Sequence, residues 1–227
     1  MRGPERSGGR RTRLPLGLFA LAAVVELIGV ALDERAIQWA SKPFLALLLL
    51  WYLMSRRPGR DAVATGLAFA FAGDVALLVP GRAWFLLGMV CFLGTQLSLL
   101  VAFRRAGRPR TAVLVAAAVL WAGLNALLWS RLGPLRVPIL GYSLALTAMA
   151  AWATAVSARV AAGAVLFLLS DLLIGVGAAG MDFAGRDLVV MSTYAAALAL
   201  IATGWVASCA AGAGAGSAAP PVPHRQR

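Results

Sequence analysis

Four ionisable side chains stand inside long apolar runs of this sequence: Glu26, Lys42, Asp74 and Asp171. An unpaired charge in hydrocarbon is costly, so such residues face a polar interior and mark proton relays, ion paths or catalytic sites. Asp is too short to reach the membrane surface from mid-span, which makes Asp74 and Asp171 the firmest functional candidates. Glu26 and Lys42 also admit a structural reading, either snorkelling to the interface or pairing to lock helices together. Asn125, Tyr142 and Tyr194 fall at a similar depth. One polar cavity on the side away from the basic loops accounts for the set, because unpaired polar groups are excluded from lipid. Small residues beside each aspartate (Gly66, Ala70 and Gly73; Gly163, Ser170 and Gly175) allow close helix approach. The two carboxyls are therefore expected in one cavity, within roughly 10 Å of each other, near enough to act on one substrate.

The remaining residue types narrow the chemistry. The single histidine is His224, in the Pro-containing C-terminal stretch. A Ser-His triad, a Cys-His pair and a His-based zinc site are excluded. No Gly-rich phosphate loop ends in Lys-Ser or Lys-Thr. Carboxylates, Lys42, tyrosines, Asn125 and water are left, and no metal or cofactor is expected. Two carboxyls in one cavity, one neutral and one ionised, suit general acid/base hydrolysis. The same charges would also serve a proton-coupled transporter.

The elements that position these residues are apolar helices. Of the 227 residues 61% are hydrophobic and 13% charged, about half the charged share of a soluble domain. A helix needs about 20 apolar residues to cross the hydrocarbon core. Eight such segments are read at 14–32, 36–54, 62–79, 83–103, 111–129, 135–156, 160–180 and 187–210. Charged breaks (Asp33 to Arg35, Arg56 to Asp61, Arg104 to Arg110) and turn formers (Pro80-Gly81, Gly133-Pro134) separate them. The break near Ser157 to Arg159 is the faintest. The expected fold is all-α: a polytopic integral membrane bundle of eight transmembrane helices over 14–210, with a basic tail at 1–13 and a disordered Ala/Gly/Ser/Pro-rich tail at 211–227. The first apolar stretch is too long for a signal-peptide core and is read as a span.

Net charge is +12, but the basic residues sit in short loops rather than on one face, so nucleic-acid binding is not expected. With the N-terminus inside, 15 Arg fall on the cytoplasmic side and 5 on the other, with Lys42 inside a span. That bias predicts a multi-pass protein of the cell membrane with both termini cytoplasmic. Cys91 and Cys209 lie inside apolar runs and read as small packing residues. Gly66 to Asp74 and Gly163 to Asp171 resemble each other, each with a Gly eight residues before the Asp. A parallel repeat of four helices and chance agreement both account for that.

Three segments carry a family resemblance: Ser41-Lys42-Pro43; Gly73-Asp74 followed by Phe85, Gly88 and Phe92; and Gly163 through Ser170-Asp171, with Met191 to Tyr194 beyond. Their order and spacing from about residue 36 to 205 resemble the YhhN-like family, which contains the lysoplasmalogenases. The resemblance implies an eight-helix membrane hydrolase. Its characterised members cleave the vinyl ether bond of lysoplasmalogen-type lysophospholipids, releasing a fatty aldehyde and a glycerophospho head group. It also implies that Asp74 and Asp171 are the catalytic pair. Lys42 and Tyr194 match family positions, and together with Asn125 and Gln96 they are expected to bind the lysophospholipid, Lys42 through its phosphate. The sequence departs from the pattern at Gln96, where members usually carry His, at Leu99, usually Tyr, and near Leu198, where a Gln is common. The loss of that His leaves a third reading open, a non-catalytic lipid-binding relative.

Overall fold

The computed structural model describes residues 7–57, 59 and 61–217. Among them the chain forms eight α-helices and no strand: α1 (Ser7–Ala31), α2 (Arg35–Arg56), α3 (Ala62–Leu78), α4 (Arg82–Ala106), α5 (Thr111–Leu128), α6 (Arg136–Ala153), α7 (Ala158–Ala178) and α8 (Arg186–Ser217). A short 3-10 turn, Gly133–Leu135, precedes α6. Seven of the helices are long and apolar enough to cross a membrane. The eighth, α3, is apolar but has 17 residues, a rise of roughly 25 Å against a hydrocarbon core of about 30 Å. Helix α1 starts before residue 14 and α8 runs past residue 210. The rest of the tails expected at 1–13 and 211–227 lies outside the described residues.

The helices stop where the sequence supplies caps and turns. Asp61 caps α3 by accepting from the Val63 N–H at 2.9 Å. Ser157 caps α7 by accepting from the Val160 N–H at 3.3 Å, which is the physical cause of the faint break between α6 and α7. The α1–α2 turn is tight enough to hold Asp33 at φ 53°.

Seven helices close a ring in the order α1, α2, α3, α4, α6, α7, α8, with α8 also packed on α2. Helix α5 stands outside the ring and packs mainly on α6. Small residues set the closest approaches. A Cβ at Gly163 would lie 2.9 Å from the Ala197 carbonyl oxygen, so α7 and α8 meet backbone to backbone there. The core between them is large and apolar, with Leu45, Leu49, Phe103, Phe167, Leu198 and Ile201 all fully buried.

At the Arg-rich end, the α2–α3 loop is pinned to α8. Trp205 donates to Asp61 at 2.9 Å, and Arg57 pairs with Asp61 at 3.4 Å while stacking over the Trp205 ring. Arg57 also donates to the Cys209 sulfur. The opposite end carries the α1–α2, α3–α4, α5–α6 and α7–α8 connections. Glu26, Lys42, Asp74, Asp171 and Tyr194 all lie within about two turns of it, counted along their helices.

Candidate active site

Toward that second end, a cleft of about 850 Å³, partly open to the surroundings, lies among α3 to α7. Its walls are mostly apolar, with Leu77, Phe85, Met89, Phe92, Leu146 and Leu172 among them. Asp171 is the one ionisable carboxyl in the lining, and Asn125, Tyr142, Ser143, Thr147 and Trp121 supply its other polar groups.

Asp171 is held from one side. Its Oδ2 accepts from the Tyr142 hydroxyl and from Gln96 Nε2 at 3.2 Å. Its Oδ1 has no hydrogen-bond partner among the described residues, and Asp171 is half-buried in the cleft wall. An oxygen that takes two donors is committed to accepting them, so Oδ1 is the atom left for chemistry. Gln96 is fully buried and its own Oε1 finds no partner. Asn125 donates to the Trp121 carbonyl at 2.8 Å and to the Ser143 hydroxyl at 3.1 Å, which fixes the polar strip opposite α7.

Asp74 sits elsewhere. It is 1% exposed, does not line the cleft, and accepts from the Tyr194 hydroxyl at 2.7 Å. Phe92 separates the two settings. Its ring lines the cleft, packs edge-on to Tyr194 at 5.8 Å, and lies so close to Gly73 that a Cβ there would meet it at 2.8 Å. The absence of a side chain at Gly73 is what admits the ring. Asp171 lines the cleft, whereas Asp74 is buried outside its lining, next to the Phe92–Tyr194 pair. The two settings adjoin through Phe92, which lines the cleft and packs on Tyr194.

Lys42 and Tyr194 also lie outside the cleft lining. Lys42 is half-buried on α2 beside Pro43. Glu26 does not snorkel; it is 1% exposed and accepts from the Ser41 hydroxyl at 2.7 Å. Thus Asp171, Asn125 and Gln96 are brought together, while outside the cleft lining Asp74 is held by Tyr194 and Glu26 by Ser41. Sequence reasoning placed Tyr142 at the right depth but gave it no role. The available signal was scarcity. The chain has 3 tyrosines, and two of them each hold an aspartate of an apolar helix.

The YhhN family model matches residues 37–205, which covers both aspartates, their tyrosines, Lys42, Gln96 and Asn125. The chain belongs to the YhhN family. Two relatives named lysoplasmalogenase, from Mycobacterium bovis (strain ATCC BAA-935 / AF2122/97) and Mycobacterium tuberculosis (strain CDC 1551 / Oshkosh), are each 34% identical over 199 residues. Each match covers 79% of this chain and 73% of the relative. No solved structure matches the chain. The family match begins after Glu26, so that buried carboxyl lies outside it.

Proposed function

We propose that this YhhN family member is a membrane hydrolase that cleaves the vinyl ether bond of lysoplasmalogen-type lysophospholipids, releasing a fatty aldehyde and a glycerophospho head group. The observation that carries the reading is the free Oδ1 of Asp171 at the wall of an apolar cleft. The mostly apolar walls suit an acyl chain, and the relatives' name agrees with that. All eight helices are taken as spans, α3 included, with the Arg-rich loops and both termini on the cytoplasmic side. The cleft then opens toward the outer leaflet of the cell membrane. The tail lies along Leu77, Met89 and Leu172, and the vinyl ether rests at Asp171. The head group lies at the loop end, where Arg136 is one turn from the cleft-lining Ile139. In this reading the phosphate meets Arg136 rather than Lys42.

The chemistry needs a proton donor and a water. Asp171 gives a proton to the vinyl carbon remote from oxygen, which leaves an oxocarbenium ion. Its carboxylate, steadied by Tyr142 and Gln96, stabilises that cation and then takes a proton from the attacking water. The hemiacetal collapses to aldehyde and alcohol, so one water is consumed for each bond cleaved. Asp74 acts through Tyr194 and Phe92, holding the wall against which the reacting bond lies.

The test uses purified protein in lipid nanodiscs and three lysolipids with one head group, linked by vinyl ether, alkyl ether or ester. Aldehyde from the vinyl ether alone supports the proposal. Fatty acid from the ester would replace it with an esterase, and no product from any of the three would remove the hydrolase reading.

A further inference from the structure

We propose that the cleft takes its lipid sideways from the bilayer, through a slot between α5 and α7. The inference rests on the reading of the cleft as a lipid site and adds the path by which the chain arrives.

The place of α5 is set by α6. Trp121 on α5 donates to the Leu140 carbonyl at 3.4 Å and to the Ser143 hydroxyl at 3.2 Å, and Asn125 donates to the same hydroxyl. On the other flank, Arg104 of α4 stacks over the Trp152 ring at 5.6 Å. Ser143 and Trp152 are about two and a half turns apart on α6, so they point to opposite sides. Helices α4 and α5 therefore flank α6 on opposite sides, and α5 stands where α6 faces α7. From there α5 and α7 both wall the cleft, through Leu124 and Leu128 on one and Leu168 and Leu172 on the other. Yet α5 packs along α6 and not along α7.

The gap between them has one closed end and one open flank. At the loop end, Leu128 clusters with Leu132 and Ala179, and Ile139, Leu172 and Met181 pack around them. These side chains bar a direct way in from water between the two helices. Away from that end the cleft walls run out into exposed apolar surface. About one turn from Leu124 on the same face of α5, Leu120 is 45% exposed. About one turn from Leu168 on α7, Val165 is 59% exposed. Packing between the two helices would bury both. Gly175 adds room on α7, since a Cβ there would meet nothing within 4 Å.

The composition of the slot fits a hydrocarbon chain. No charged residue occurs on α5, and α7 carries only Arg159 near its start and Asp171 in the cleft wall. Edges without charge can face hydrocarbon, and a chain that slides between them is never exposed to water.

The test reads binding rather than turnover, using the full chain in lipid nanodiscs. The probe is an alkyl ether lysolipid, which has no vinyl ether to cleave, with a photoreactive diazirine in its chain. Adducts on cleft peptides are located by mass spectrometry. The protein carries Leu124→Cys and Leu172→Cys with Cys91→Ala and Cys209→Ala, and a short bifunctional methanethiosulfonate bridges the pair until it is reduced. The reduced protein, which must itself be labelled, is the folding control. Bridged before lipid is added, the protein should give no cleft adduct, and reduction should restore it. Bridged after loading, chased with unlabelled lysolipid and then irradiated, it should still give the adduct, whereas the reduced protein should not. That trapping separates a closed slot from a filled cleft. Entry and exit unaffected by the bridge, or cysteines that do not bridge at all, would overturn the slot while leaving the cleft as a lipid site. No cleft adduct in the unbridged protein would overturn both.

Discussion

Removing the Tyr142 hydroxyl should slow the reaction without unfolding the protein. In Tyr142→Phe the ring stays in the wall of the cleft, and only the donor to Asp171 Oδ2 is lost. Gln96 Nε2 at 3.2 Å then remains as the single donor on that oxygen. A hydrogen bond to an ionised group is worth about 1.5–3 kcal/mol. The carboxylate form is needed when the oxocarbenium ion develops, so the loss falls on the transition state. At about 1.4 kcal/mol per factor of ten, kcat should drop roughly 10- to 150-fold. Substrate binding rests mostly on the apolar walls, so KM should change little. The assay is aldehyde release from a vinyl ether lysolipid, with thermal unfolding followed in the same nanodiscs. Activity within twofold of wild type would show that Tyr142 does not support the reacting carboxyl. A large rise in KM with unchanged kcat would show that it binds lipid instead.

Two further outcomes follow from the packing. Gly163→Ala places a methyl 2.9 Å from the Ala197 carbonyl oxygen, a backbone atom that cannot swing away; overpacking of this kind costs about 1–3 kcal/mol, read as a lower unfolding temperature. Gln96→Leu removes a donor from Asp171 and should lower kcat about tenfold, whereas Gln96→His, which keeps a donor, should retain most activity. A Gln96→His variant that gains activity from an inert parent would favour the non-catalytic reading.

Much of this was visible in the sequence because membrane crossing imposes simple rules. Charged and Gly/Pro breaks mark the helix ends, and an Asp within an apolar helix must face a polar interior rather than lipid. The depth of Glu26, Lys42, Asp74 and Asp171 followed from counting along helices. What depth does not give is rotation about each helix axis. In these helices nearly every face is apolar, so no stripe shows which way Asp74 points. Its separation from the cleft depends on one ring, Phe92, resting on Gly73, a contact between α3 and α4 that no local pattern signals. The burial of Glu26 was missed for a similar reason. Near a helix end it reads as a snorkelling residue, and only the close α1–α2 approach at Gly29 sets it against Ser41. The outlying place of α5 was also unreadable, because it is as apolar as the helices of the ring.

The central claim is that Asp171 acts directly on the vinyl ether from the cleft. It is tested most directly by aldehyde release in deuterated water, comparing wild type with Asp171→Asn in the same nanodiscs. The account predicts that wild type yields aldehyde carrying one deuterium on the carbon beside the carbonyl, and that Asp171→Asn binds the lysolipid but yields no aldehyde above a protein-free control. Wild-type rates of aldehyde release from Asp171→Asn would contradict it.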